Sequence, residues 1–142
     1  MASPIEVTLV LCDAAQVDQS GKVHMLGAGW STTGSPTAPS AVVVMLGIPW
    51  DRTNQKIHVA LELTDDDGQP VIVPGQFGDT AVRIEANVEV GRPPGTPEGV
   101  TLEANLAPSI PPLPLAVGRY SWRLQLTPGD QTASKSFTVR VI

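Results

Sequence analysis

Two histidines, His24 and His58, and one cysteine, Cys12, have the widest chemical range of any side chains in this 142-residue chain. A zinc centre needs several His, Cys or carboxylate ligands at short fixed spacings. No His-x-His, Cys-x-x-Cys or His-Glu-x-x-His occurs. His58 alternates with Ile57 and Val59, which puts it on the wet side of an extended segment, and His24 sits near the start of another. A reactive thiol wants a cation or a helix amino terminus beside it. Cys12 has Leu11 and Asp13 as neighbours, so a packed thiol is expected. The run Asp65-Asp66-Asp67 suggests calcium, but an EF-hand loop begun at Asp65 would need Glu where Gln76 stands. It reads as a charged hairpin turn, to which Asp51 or Asp79 from other loops would have to be added to build a weak site. Glu62, Glu85, Glu89 and Glu103 fall on wet faces with nothing to pair them across a cleft, as glycoside hydrolysis requires. No Gly-x-Ser-x-Gly elbow is present, and Gly27-Ala28-Gly29 opens onto no helix that would receive a phosphate. These residues predict no catalytic site, no metal and no cofactor, and so a protein that is not an enzyme.

Three tryptophans offer binding rather than chemistry. Trp122 shares an apolar register with Tyr120, Leu124 and Leu126 and is expected in the core. Trp30 and Trp50 each close an extended segment beside turn residues, where a ring either seals the end of the core or stacks on a ligand. Arg52, two residues beyond Trp50, has three uses open to it: holding Asp51, holding a backbone carbonyl, or reaching a partner.

The elements that must position these residues are strands. Val82, Ile84, Ala86, Val88 and Val90 interleave with Arg83, Glu85, Asn87 and Glu89, the period-two pattern of a half-buried strand. Nine such segments are predicted, near 5–15, 22–33, 41–49, 56–64, 69–74, 81–91, 98–106, 119–127 and 133–141. Most of the fourteen prolines and thirteen glycines fall between them. The expected fold is all-β, a mostly antiparallel two-sheet β-sandwich of eight or nine strands, immunoglobulin-like or C2-like, filling residues 1–142 as a single domain. Gly68 and the Pro128-Gly129-Asp130 turn mark hairpins, and Asp51–Asn54 is expected to join the third and fourth strands. The Pro-rich segments 92–97 and 107–118 are too long for hairpins and are expected to bridge the two sheets.

Fourteen acidic and nine basic residues are scattered, giving a net charge of −5. Nothing resembles the basic stripe that nucleic acid or an anionic membrane surface would select. The amino-terminal apolar run contains Glu6 and Thr8 and is too short for a signal peptide or a membrane span. With one cysteine, a reduced cytoplasmic setting is the simplest expectation.

Two segments break the alternation. Val7–Cys12 and Ala41–Ile48 are apolar on both faces, and His24–Trp30 leans the same way. A sheet in a two-layer body has one dry face, so the second face needs cover from loops or from another chain. The reading taken is a protein-interaction or assembly module, a homo-oligomer or a partner of another protein. Val10, Cys12, Leu26, Val43 and Met45 would form its interface, with Trp30, Trp50 and Arg52 at the rim. An interface of about 800 Å² per partner would be specific in the ordinary range. On this reading Val43→Asp with Met45→Lys leaves a folded monomer. The alternative is a carbohydrate- or calcium-binding module using Trp30, Trp50 and the acidic loops.

The segments Leu11-Cys12-Asp13-Ala14-Ala15-Gln16-Val17-Asp18, Gly21-Lys22-Val23, Gly27-Ala28-Gly29-Trp30 and Pro49-Trp50-Asp51-Arg52-Thr53-Asn54 carry a resemblance, as do Val90–Gly95 and Leu115–Arg123. Across nearly its whole length the chain resembles a family of small uncharacterised bacterial proteins, common in actinobacteria and known as a domain of unknown function. The resemblance implies one cytoplasmic β-sandwich domain and brings no activity, cofactor or site residue.

Overall fold

A computed structural model of the chain describes residues 3–76 and 78–141. Residues 1, 2, 77 and 142, which the expected domain 1–142 includes, lie outside the described residues. The fold is all-β and almost wholly antiparallel. Its strands are β1 (Glu6–Cys12), β2 (Ala14–Val17), β3 (Val23–Leu26), β4 (Thr32–Thr33), β5 (Ser40–Ile48), β6 (Ile57–Asp65) and β7 (Ile72–Gly75). They continue with β8 (Gly78–Ala81), β9 (Arg83–Val88), β10 (Leu102–Leu106), β11 (Ser109–Ile110), β12 (Gly118–Thr127) and β13 (Gln131–Val139). A short 3-10 turn, Trp50–Arg52, follows β5.

Two larger sheets run in the orders β1-β5-β10, with β11 also on β5, and β4-β13-β12-β6-β9. Two ribbons, β2-β3 and β7-β8, complete the set. Thirteen strands among the described residues replace the eight or nine expected. The reason is local: every predicted segment contains a strand, but the first is cut at Asp13, where the chain bends, and the second also divides. The additional β8 and β11 are too short for a periodic pattern to register.

One apolar cluster draws on both larger sheets. Leu11, Val42, Val44, Leu46 and Ile48 come from the first, and Ile57, Val59, Leu61, Leu63, Trp122, Leu124, Leu126, Phe137 and Val139 from the second. Trp122, flanked in register by Leu63 and Lys135, is fully buried, as its alternation predicted. The predicted hairpin turns form: Gly68, at φ +77°, lies in the Asp65–Gln69 turn, and Gly129 with Asp130 returns β12 to β13. Asp51–Asn54 does follow β5 and precede β6, but these strands belong to different sheets, so the segment crosses over instead of closing a hairpin. The Pro-rich stretches 92–97 and 107–118 likewise pass from one larger sheet to the other.

Candidate functional site

The cover over the doubly apolar strands comes from the chain itself. β5 turns Val42, Val44, Leu46 and Ile48 into the main cluster and Ala41 and Val43 to the opposite face. There Ala41, Val43 and Cys12 form a second cluster, capped by Ala15 and Val23 of the β2-β3 ribbon and edged by Val10, Met45 and Ala107. Cys12 and Val43 are 0% exposed. The expectation that they form a surface for a second copy is therefore corrected. A bend at Asp13 folds the hairpin back over the strand it follows, and Gly27 suits the left-handed φ of +65° there, where a Cβ would also displace the Asp13 carboxylate. Burial pushes the Cys12 thiol up, and the Asp13 charge adds to the effect, which opposes the thiolate a nucleophile needs.

The ribbon has its own inside and outside. Cross-strand partners share a face, so Ala15 with Met25 and Val17 with Val23 face the sheet, while Ala14 with Leu26 and Gln16 with His24 face away. Leu26 is 73% exposed and Met25, at the margin, 36%. Ala14, Ala15, Gln16, Val23, His24, Met25 and Leu26 line a shallow hollow of about 660 Å³.

The ribbon is fixed at its tip. Asp18 Oδ1 accepts from the Ser20 N–H at 2.8 Å, the Ser20 hydroxyl at 2.6 Å and the Lys22 N–H at 3.1 Å, while Oδ2 lies 2.7 Å from His24 Nε2. The Ser20 hydroxyl first, then His24 and the Lys22 N–H, hold the Asp18 carboxyl far below the usual carboxylate range. Asn105 of β10 donates to the Gly21 carbonyl at 2.8 Å, tying the tip to the sheet beneath. A two-stranded ribbon alone is marginal in water, and these bonds with the apolar underside are what hold it.

The other sequence-predicted residues are spent on internal contacts. Arg52 is only 4% exposed and donates from Nη2 to the Pro128 carbonyl at 2.7 Å. Of the three uses open to it, the carbonyl wins, and the expected rim contact is corrected: the crossover carries this side chain inward under the β12-β13 turn. Trp30 is half-buried and meets Phe137 edge-on at 5.4 Å, its buried indole N–H without a partner among the described residues. Arg92 lies 3.8 Å over the ring of Trp50 and donates to Thr53 Oγ1 at 2.6 Å and the Trp50 carbonyl at 2.8 Å. A face of Trp50 is thus already stacked. Asp65 uses Oδ1 to accept from the N–H groups of Asp67 and Gln69 at 3.0 and 2.9 Å, an internal turn lock. His58 lies on the wet face, 3.0 Å from Glu85 and 3.2 Å from Asn87.

Of the predicted interface residues, Leu26 stands exposed, Val10 and Met45 are half-buried against the second cluster, and Cys12 and Val43 are sealed. Met25 lies in the apolar His24–Trp30 segment but is not among the expected interface residues, and the Asp18 lock was not expected. Their signals were present: Asp18-x-Ser20-x-Lys22 has the spacing of a side chain capping its own turn, and Val23-His24-Met25-Leu26 ends in two large apolar residues. Among the described residues no group of three or more His, Cys, Asp or Glu is arranged to hold a metal ion. Among the described residues no helix is long and apolar enough to cross a membrane. Residues 7–140 match a family model whose description is a family of unknown function, DUF6941. No curated protein matches the chain.

Proposed function

Since the chain belongs to this family of unknown function, we propose from its own residues that it is a non-enzymatic interaction module which self-associates through the β2-β3 ribbon. The observation that carries this reading is a contrast among sheet edges. An unpaired strand edge is a template for another chain, and proteins blunt such edges with charge or proline. Among the described edge strands of four or more residues, β1 carries Glu6, β7 Pro74, β8 Asp79, β9 Arg83 and Glu85, and β10 Glu103. β2 (AAQV) and β3 (VHML) carry no Asp, Glu, Lys, Arg or Pro. β3 is the more exposed of the two and presents Leu26.

The occupant is a second copy. Antiparallel pairing of β3 with its symmetry mate extends the ribbon to four strands in a closed, isologous contact. So short an edge gives a weak dimer that depends on concentration, at the small end of specific interfaces. Sedimentation over a wide concentration range tests it. The wild type is expected to move from monomer to dimer, and Leu26→Lys to remain monomeric with an unchanged melting curve. A wild type that stays monomeric throughout, or a Leu26→Lys protein that dimerises normally, rejects the reading.

The proposal extends to the architecture. The pairing orders β1-β5-β10 and β13-β12-β6-β9 follow the A-B-E and G-F-C-C′ orders of an immunoglobulin-like sandwich, with β4 joining the last strand in parallel. Tyr120, near the start of β12, donates its hydroxyl to the Ala116 carbonyl at 2.7 Å, the corner contact expected at the start of the next-to-last strand of such a fold. That contact supports the immunoglobulin-like over the C2-like form. A cytoplasmic setting is part of the proposal, supported by a lone, buried thiol. The carbohydrate or calcium alternative is less well supported, because Trp50 is stacked by Arg92 and Asp65 is engaged by its own turn.

A further inference from the structure

The outer face of the five-stranded sheet is polar, and the chain's arginines are not treated alike. Arg83 pairs with Glu62 at 3.3 Å and Glu85 at 3.2 Å, while Arg52 and Arg92 are held by carbonyls and side-chain oxygens. Arg119 and Arg123, both on β12, have no ion-pair partner among the described residues. They flank Ser121 on the same face, two residues to either side, so their Cα atoms stand roughly 13 Å apart. Two long side chains at that spacing can close on one small group between them.

What lies between is built of hydroxyls. Ser121 and Ser136 face each other across β12 and β13 with 2.7 Å between their oxygens, and Thr64 Oγ1 donates to the Ser121 carbonyl at 3.3 Å. Arg119, Ser121, Arg123, Ser134, Ser136 and Thr64 line a shallow hollow of about 350 Å³ together with Asp65 and Asp66, and Asp65 pairs in register with Tyr120, next to Arg119. Two arginines without an ion-pair partner among the described residues, beside the serine hydroxyls, offer a donor set for an oxyanion. Asp65 and Asp66 line the same hollow, and Glu62, held by Arg83, stands opposite Arg123 in register. Asp65 and Asp66 repel a polyanion extended along the hollow, so the arrangement favours a compact anion held between the arginines.

We propose that Arg119, Arg123 and the Ser121–Ser136 hydroxyl pair form a binding site for a small tetrahedral oxyanion, a phosphate or sulfate group free or borne on a small molecule. The site lies on another sheet from the β2-β3 ribbon and does not depend on the self-association reading. Amide NMR titration with inorganic phosphate, against sodium chloride at matched ionic strength, is the test, repeated with inorganic sulfate and with acetate. Saturable shifts centred on residues 119–123 and 134–136 are expected with phosphate or sulfate and not with chloride. Arg119→Gln and Arg123→Gln should each weaken binding by about tenfold, the scale of one lost charge-assisted contact, and Arg140→Gln on the last segment should not. Ser136→Ala should weaken it less while leaving the spectrum native. Shifts that chloride or acetate reproduces, that spread over all cations alike, or that survive in the Arg119→Gln/Arg123→Gln double variant would overturn the proposal.

Discussion

At the scale of single residues, Asp18 shows how one exposed carboxylate organises a turn. It collects two N–H groups, a hydroxyl and an imidazole, and each favours its ionised form. Its folded pKa lies below the ordinary aspartate value, so its contribution to stability is complete above that value. The contribution is lost only as pH falls through the folded one. A carboxyl-carbon NMR titration should find Asp18 still ionised at about pH 3, roughly a unit below the unfolded aspartate value. Amide exchange at Ser20 and Lys22 should stay slow over the same range and quicken in Asp18→Asn. An Asp18 that titrates with ordinary carboxylates would mean the tip is open in solution. Arg52 makes the complementary case: its type and position left three partners open, and only the approach of the Pro128 carbonyl selected one.

At the scale of elements, the ribbon reassigns the meaning of β1 and β5. Around Cys12 and Ala41–Val43 both strands are apolar on two faces because both faces are covered there, one by the opposite sheet and one by β2-β3. Val43→Asp is therefore expected to destabilise the fold by about 3–5 kcal/mol, the scale of an uncompensated buried charge, and not to release a folded monomer. Met45→Lys, at a half-buried position, should be tolerated because the lysine stem can lie along the apolar surface with its charge in water. Denaturant unfolding of the two single variants separates these outcomes, and a Val43→Asp protein with the wild-type midpoint would refute the ribbon's role as cover. The need for a second cover was legible in the sequence. Its source was not, because a bend at Asp13 is a three-dimensional event that period-two alternation does not record.

At the scale of the whole molecule, the main cluster takes residues from Ile5 to Val139 and joins both larger sheets. Such a core should melt as one unit, which calorimetry would register as a single transition with matching calorimetric and van't Hoff enthalpies. Trp122, the largest of the fully buried side chains, packs between Leu63 and Lys135 in register. Trp122→Ala should cost about 3–5 kcal/mol and lower that transition without dividing it. Two transitions in the wild type would show that the sheets are independent bodies.

The sequence by itself determined which segments are extended, where they turn, and that Trp122 and its neighbours face inward. Those properties follow from local alternation and from Gly and Pro geometry, both of which act within a few residues. Tertiary structure alone decided what covers the second face of β5, which carbonyl holds Arg52, that Arg92 takes a face of Trp50, and that Arg119 and Arg123 share a hydroxyl floor with Ser136. Each of these joins strands or loops distant in the chain, and strand pairing sets such proximity in space without leaving a period or spacing in the sequence.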